Sequence, residues 1–439
     1  MISTNHPITG KTLGKFPDIV QAGLIIKLAQ VQTNARFGFL SAQVAQKIEE
    51  LIISAQKHLP PALCSLEMWS NDFSVLNTRI NQWIAAEANV DISEVSLLDS
   101  NAAFSQTIES LVITARLKSA IDGNRELINA LRSKAQEFEN EIRLTRVHVC
   151  ESTPGTWAQV FQALADSVEH ALDRIESDKK SFVTVLAGSI FQDDLKAPRE
   201  YAQATVEAIE KLTGQTYHCP SREAVEITDI LMGSSRLMEL CSDLHILSMV
   251  YQRFVHGFFI YGSGPRAGLA EIALPAIAPG STIMPGKINP SMAMLLEQAC
   301  QNLSAIDQMA QYSYNEYDFD QSWQSAGAFL MAAEALELLG KAGHLFVEKC
   351  LTGFSVQSEN NRRHVENALF LARIVGLLKG KVVENQIRSL MQTKNVTVKE
   401  ACIELGVMTS SEVDTVFDTM TLAQSGISLQ TLNRYLKKF

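Results

Sequence analysis

The twelve prolines of this 439-residue chain are spread so unevenly that they limit what it can fold into. None falls between Pro61 and Pro154, and none occurs in residues 291–439. Proline removes a backbone donor and clashes with the preceding helical turn, so long helices run where it is absent. The apolar residues agree with that reading. Ile19, Leu24, Ile25, Leu28 and Val31 fit one helix face, with Asp18 as a candidate N-cap. Val44, Ile48, Leu51 and Ile52 fit another behind Ser41, a second candidate cap. Helical spacing continues over 102–145, and after Pro154 Val160, Leu164, Val168, Leu172 and Ile175 recur every three or four residues. The same period runs through 200–212, 222–260 and 291 to about 350. It then shortens into segments at 358–378, 381–393, 397–405 and 410–419. Strand-like alternation is rare and best at 182–186. The pattern predicts an all-α protein with a central bundle of long helices between two smaller helical ends.

Composition removes several function classes. Hydrophobic residues make up 46% and charged residues 20%, which is ordinary for a globular chain. The net charge is -10 and no run of Lys or Arg offers a phosphate-tracking patch, so no nucleic-acid partner is expected. Charged residues interrupt the apolar stretches before membrane-spanning length, and no membrane association is expected. The opening residues 1–7 lack a basic region followed by an apolar run, so a cytoplasmic location is expected. The seven cysteines are odd in number and never form Cys-x-x-Cys. The nine histidines show no metal-ligand spacing. Unpaired core thiols, no metal site and no cofactor follow as expectations.

One stretch stands apart: Gly280-Ser281-Thr282-Ile283-Met284-Pro285-Gly286-Lys287-Ile288-Asn289-Pro290. Two Gly and two Pro make it a loop, since one residue type frees the backbone and the other stops helices. Ile283, Met284 and Ile288 alternate with polar residues, as if one side anchors the loop and the other faces a ligand. An ordinary helix–helix connection is the competing reading of the same composition.

Residues 280–289 resemble the signature loop of the fumarase/aspartase superfamily, Gly-Ser-x-x-Met-x-x-Lys-x-Asn, with every fixed position filled. The upstream Ser263-Gly264-Pro265-Arg266-Ala267-Gly268 and Glu271 are similar to what precedes that loop in the family. The resemblance implies that Ser281 is the general base removing a carbon-bound proton. It implies that Lys287 and Asn289, with Thr282 beside them, bind a substrate carboxylate. It further implies a three-domain helical fold, divided here as 1–100, 101–353 and 354–439, and a homotetramer whose sites are each built from three subunits.

The resemblance extends at low identity along nearly the whole chain. Arg146 to Pro154, with Thr156 and Gln159, is similar to a family segment that places His148 beside the substrate. Taken alone, a histidine between Val147 and Val149 reads as a packed core residue. The family glutamate that orients this histidine is replaced by Met294. Ser74 and Asn77 fall near an asparagine-rich family strip, although either could simply punctuate a helix. Gly188 and Ser189 are what remain of a longer Gly-Thr segment. Where the family has hydroxyl donors for the second carboxylate, this chain has Asn101-Ala102-Ala103-Phe104.

The chemistry implied is an anti β-elimination, breaking a C–N or C–O bond next to a carboxylate of a small amino acid or related acid. A serine base needs fixed positive charge and backbone donors, which the loop can supply. The missing hydroxyl donors point to an altered second-carboxylate pocket, walled by Ala102, Ala103 and Phe104, and to negligible turnover of fumarate, malate or aspartate. The alternative is a weak or inactive homologue acting as a binding or assembly protein.

Overall fold

Proline at a first helical position opens the first long element of the computed structural model. Helix α1, Pro17–Arg36, begins on Pro17, whose missing N–H would have had no intrahelical partner. Asp18 sits in the first turn rather than capping it, and its carboxylate accepts two hydrogen bonds from the Arg116 guanidinium at 2.6 and 2.9 Å. Ser41 does cap α2, Ala42–Lys57, by accepting from the Val44 N–H at 3.3 Å. Helix α3 is Ser74–Ala88 and ends on Asn89 in the left-handed region. Ser100 starts α4, Asn101–Glu137, by accepting from the Ala103 N–H. The other long helices are α5, Trp157–Phe182, α6, Tyr201–Thr213, α7, Ser235–Tyr261, α8, Ser291–Tyr314, and α9, Ala326–Phe346. The fold is all-α in class. The structure describes residues 11–68, 73–186, 197–198, 200–220, 235–278, 280–314, 326–424 and 426–435. Among them no helix is long and apolar enough to cross a membrane.

Three local readings differ from the sequence expectation. The helical period assigned to 102–145 stops at Glu137, and an antiparallel hairpin follows: β1, Ile142–Val147, with β2, Cys150–Thr156. Val147 pairs with Cys150 across His148 and Val149, whose φ values are +50° and +60°. That is the two-residue turn with both central residues left-handed, normally made by Asn-Gly or Asp-Gly. Its residues here carry no turn signal, which is why the sequence hid it. The strand candidate at 182–186 reduces to one parallel bridge between Thr184 and His218, since Phe182 still belongs to α5. The segment 358–378 divides at Asn367 into α10, Ser358–Glu366, and α11, Ala372–Lys379.

The shorter C-terminal helices are α12, Lys381–Lys394, α13, Val398–Glu404, α14, Ser410–Val416, α15, Thr419–Gln424, and α16, Leu429–Tyr435. Thr397 with Glu400 and Thr409 with Glu412 form reciprocal capping boxes that fix two of their starts.

The chain forms two compact units, the first Met1–Asn124, His170–Met249 and Ala299–Ala342, the second Arg125–Glu169, Val250–Gln298 and Gly343–Phe439. In the first, α1 packs on α2 and α6, and the Tyr201 hydroxyl donates to Asn34 Oδ1 at 2.9 Å. Helices α4 and α9 meet backbone to backbone there: a Cβ on Gly123 would stand 2.5 Å from the Gly340 carbonyl oxygen. In the second, Phe161 and Phe258 close on Phe354 with ring centroids 5.1 and 5.3 Å apart. Ile142 and Leu144 of the hairpin join a cluster with Val365, Leu371 and Val375.

Candidate active site

The 280–290 loop is closed by its own glycines. Met284, Pro285, Gly286 and Lys287 form a β-turn in which the Lys287 N–H donates to the Met284 carbonyl at 3.2 Å. Pro285 supplies the fixed φ of the second position and Gly286, at φ +77°, the positive φ of the third. At the base, Gly280 lies against the Lys287 carbonyl, closer than any side chain would permit. The loop therefore returns on itself and presents Ser281 and Lys287 from one short segment. Ser281 is half-buried, while Thr282 and Lys287 are exposed. The Ser281 Oγ accepts from the N–H groups of Ile283 and Met284, each at 3.2 Å. Two fixed donors on a hydroxyl oxygen favour its deprotonated form, because both bonds strengthen as negative charge gathers there. Asn289 is half-buried, and its carbonyl accepts from the Ser291 N–H at the start of α8.

The segment leading into this loop is anchored by a buried charge cluster. Glu271 is fully buried, takes a bidentate ion pair from Arg146, and lies 2.8 Å from His364 Nδ1. Its backbone carbonyl accepts from the Gln357 N–H and from Asn361 Nδ2, and Asn361 in turn accepts from Trp157 Nε1 at 3.0 Å. Strand β1, helix α10 and the residues before the loop are thus held by one carboxylate. Arg146 and Glu271 could be quoted from the sequence only as parts of motifs. His364 and Asn361 carried no signal, since their partners lie far away along the chain. His148 is exposed at the hairpin tip, neither packed nor in the core.

The first unit holds the remaining described positions. Asn77, buried in α3, donates from Nδ2 to Asn101 Oδ1 at 2.8 Å and to Asp99 Oδ2 at 3.0 Å. Asn81 also donates to Asp99 Oδ2, at 2.7 Å, and Lys27 Nζ lies 2.5 Å from the same atom. Lys27 is fully buried; burial pulls its ammonium below the ordinary lysine pKa, and Asp99 pushes it back up. Ser74 is half-buried at the start of α3. The structure thus joins Asn77 to Asn101, around a Lys27–Asp99 pair that the sequence did not reveal.

The expected pocket wall is corrected here. Phe104 is 1% exposed, with the Lys27 ammonium 5.5 Å from its ring centroid, and its ring edge would stand 3.2 Å from a Cβ on Gly23. It fills the core between α1 and α4 and offers no face to a ligand. Ala103 is buried as well, so of that stretch Asn101 and Ala102 remain accessible. Ser189 lies outside the described residues. Among the described residues, no three His, Cys, Asp or Glu side chains are grouped to hold a metal ion.

The chain is similar to known lyases in both sequence and structure. A family model described as lyase matches residues 20–304. An aspartate ammonia-lyase from a Bacillus species is 23% identical, over 97% of this chain and 92% of its own length. A class II fumarate hydratase from Rickettsia bellii is 24% identical, over 94% and 92%. In structure, a fumarate lyase:delta crystallin from Brucella melitensis superposes with a TM-score of 0.89 at 21% identity, covering 95% of this chain and 93% of that one. The class II fumarase of Schistosoma mansoni gives 0.82 at 21% identity, covering 93% and 91%.

Proposed function

The chain belongs to the fumarase/aspartase superfamily of lyases, and on that premise we propose that it eliminates an amine or a hydroxyl from a small carboxylate substrate. Ser281 removes the proton from the carbon next to a carboxylate. The electron pair of that C–H bond forms the new double bond, and the leaving group departs from the opposite face with its own bonding pair. Lys287 and Asn289, with Thr282, hold the carboxylate that takes up charge. The family resemblance further assigns substrate-binding roles to Ser74, Asn77, Asn101 and Ser189 and a catalytic role to His148.

The observation that carries this reading is the pair of N–H donors on the Ser281 Oγ, in a self-closed loop that also carries Lys287. Serine hydroxyls accept such bonds in ordinary turns as well, but a base with a high intrinsic pKa gains from them, since fixed donors cost no reorganisation when charge appears.

The far end of the site differs from a two-carboxylate receptor. Both Nδ2 hydrogens of Asn77 are taken by Asp99 and Asn101, so this buried amide has no donor left for a ligand. With Asn77 spent on that network and Ala102 in place of a hydroxyl, fewer donors are left than a desolvated carboxylate needs. The preferred substrate therefore carries an uncharged or apolar group there, and fumarate, malate and aspartate are turned over negligibly.

A homotetramer with shared sites is part of the same proposal. Met249 and Ile260 on α7, Met294 and Leu295 on α8, and Leu338 and Leu345 on α9 are exposed in the single chain. Apolar rows of that extent on long helices are what subunit contacts bury. Light scattering should give four times the 48.4 kDa chain mass; a stable monomer would remove any shared site.

The central test is a screen of amino acids and hydroxy acids for release of ammonia or formation of a conjugated double bond, with Ser281→Ala as control. Turnover lost in that variant supports the proposal. Ligand binding without turnover of any compound would favour the binding-protein alternative, which the Met294 replacement also fits.

A further inference from the structure

Helix α7 carries a glycine, Gly257, in its interior, where glycine weakens a helix relative to alanine. The usual reasons for one are absent. Its φ lies outside the left-handed region, and a Cβ built on it meets no atom within 4 Å. What the missing side chain leaves is room. Gly257 lines a cavity of about 370 Å³ in the second unit, between the start of α5 and the end of α7.

The cavity has an aromatic floor and a cationic wall. Trp157, Phe254 and Phe258 are all buried beneath it. Arg143 lines it at 9% exposure, with its guanidinium carbon 5.0 Å from the Trp157 ring and 4.8 Å from that of Tyr261. Its Nε is buried without a hydrogen-bond partner. Arg253 adds a second, exposed guanidinium to the same wall. Among the described residues, no Asp or Glu lines the cavity. Glu271, which acts on Arg143 from outside it, is already bound by Arg146 and His364. Burial pulls the Arg143 guanidinium below its ordinary pKa, and Tyr261, which hydrogen-bonds it, and Glu271 offset this only in part.

Two cations lining a cavity with buried rings call for one negative charge on a flat apolar body. An aliphatic dicarboxylate would leave the rings uncovered, and a neutral arene would leave Arg143 Nε unpaired. The volume lies within the range of small-molecule sites. We propose that this cavity is a second ligand site, lined by no residue of the 280–290 loop, that binds an aromatic monocarboxylate with its carboxylate toward Arg143 and Arg253 and its ring over Phe254 and Phe258.

The test is ligand-observed NMR on the full chain with 2-naphthoate and its neutral isostere 2-naphthamide. Saturable binding of 2-naphthoate is expected, with the amide weaker by about tenfold or more, as loss of a charge-assisted hydrogen bond implies. Arg143→Gln should weaken 2-naphthoate by a similar factor. Gly257→Leu fills the cavity with a better helix former and should abolish binding, without changing the mass seen in light scattering. Because Arg143 is buried, the glycine variant keeps the test decisive if Arg143→Gln fails to fold. Lys287→Met should leave 2-naphthoate binding intact. Absence of saturable binding, equal binding of acid and amide, unchanged binding in Gly257→Leu, or loss in Lys287→Met would each overturn the proposal. So would a changed mass in Gly257→Leu, which would make this face a contact between copies of the chain. Since the readout is binding rather than turnover, the result is independent of the proposed elimination.

Discussion

Gly280 and Lys287 are in backbone contact: a Cβ on the glycine would stand 2.2 Å from the lysine carbonyl oxygen. That contact closes the loop that carries both Ser281 and Lys287. Gly280→Ala must therefore open it. A displacement of about 1 Å at reacting groups costs on the order of 100-fold in rate. Turnover is expected to fall by about that factor while the melting temperature stays within a degree or two of wild type, because the loop is exposed. Wild-type turnover in this variant would show that loop closure is not needed.

Ser281→Ala and Lys287→Met should separate base from binder. The serine variant removes an acceptor from two N–H groups on exposed residues, which water can satisfy, so its stability should change by less than ~0.5 kcal/mol. Its kcat should collapse with ligand affinity retained. The lysine variant should lose carboxylate affinity first, read as a raised KM or a weakened Kd. Identical kinetic signatures in both variants would contradict the division of roles.

Glu271 is a stability residue that the loop depends on. Breaking a buried pair by removing one partner costs about 3–5 kcal/mol, because the other charge is left uncompensated. Glu271→Gln leaves Arg146 in that position and should lower the denaturation midpoint accordingly. Urea unfolding checks it. A loss below ~1 kcal/mol would mean that Arg146 finds water or another acceptor.

Phe104→Ala should behave as a core truncation. Removing a buried phenyl ring costs about 3–5 kcal/mol, and the ring here also lies beside the Lys27 ammonium. The KM for any substrate should be unchanged in the folded variant. A shifted substrate preference would return Phe104 to the pocket wall.

Asp178 predicts a pH dependence. Its half-buried carboxyl lies on α5 near Asp243 and Glu239 of α7, with Arg174 of its own helix opposing them. Burial first, and then Asp243 and Glu239, push it up to about 7 from the ordinary 3.8. Between those values the folded chain keeps a proton that the unfolded chain has released, so this group makes stability fall as pH rises toward 7. Asp178→Asn should raise the melting temperature at pH 8 and give no gain near pH 4. Equal gains at both pH values would assign the effect to packing.

What the sequence determined by itself was local. Proline spacing and apolar period marked most of the long helices, because both act through the backbone within a turn or two. The glycines and prolines of 280–290 likewise marked a loop, and its match to a family pattern named the lysine and the serine. Tertiary structure decided what needs partners from afar. Nothing near Phe104 in sequence says that Lys27 and Gly23 enclose it, so a residue read as pocket wall is core. Nothing near Glu271 announces Arg146 and His364, 125 and 93 positions away. The tight turn at His148 and Val149 has no turn-forming residues, and only the pairing of β1 with β2 holds it. Backbone preference is written in neighbouring residues, whereas burial and charge pairing are settled only when distant segments meet.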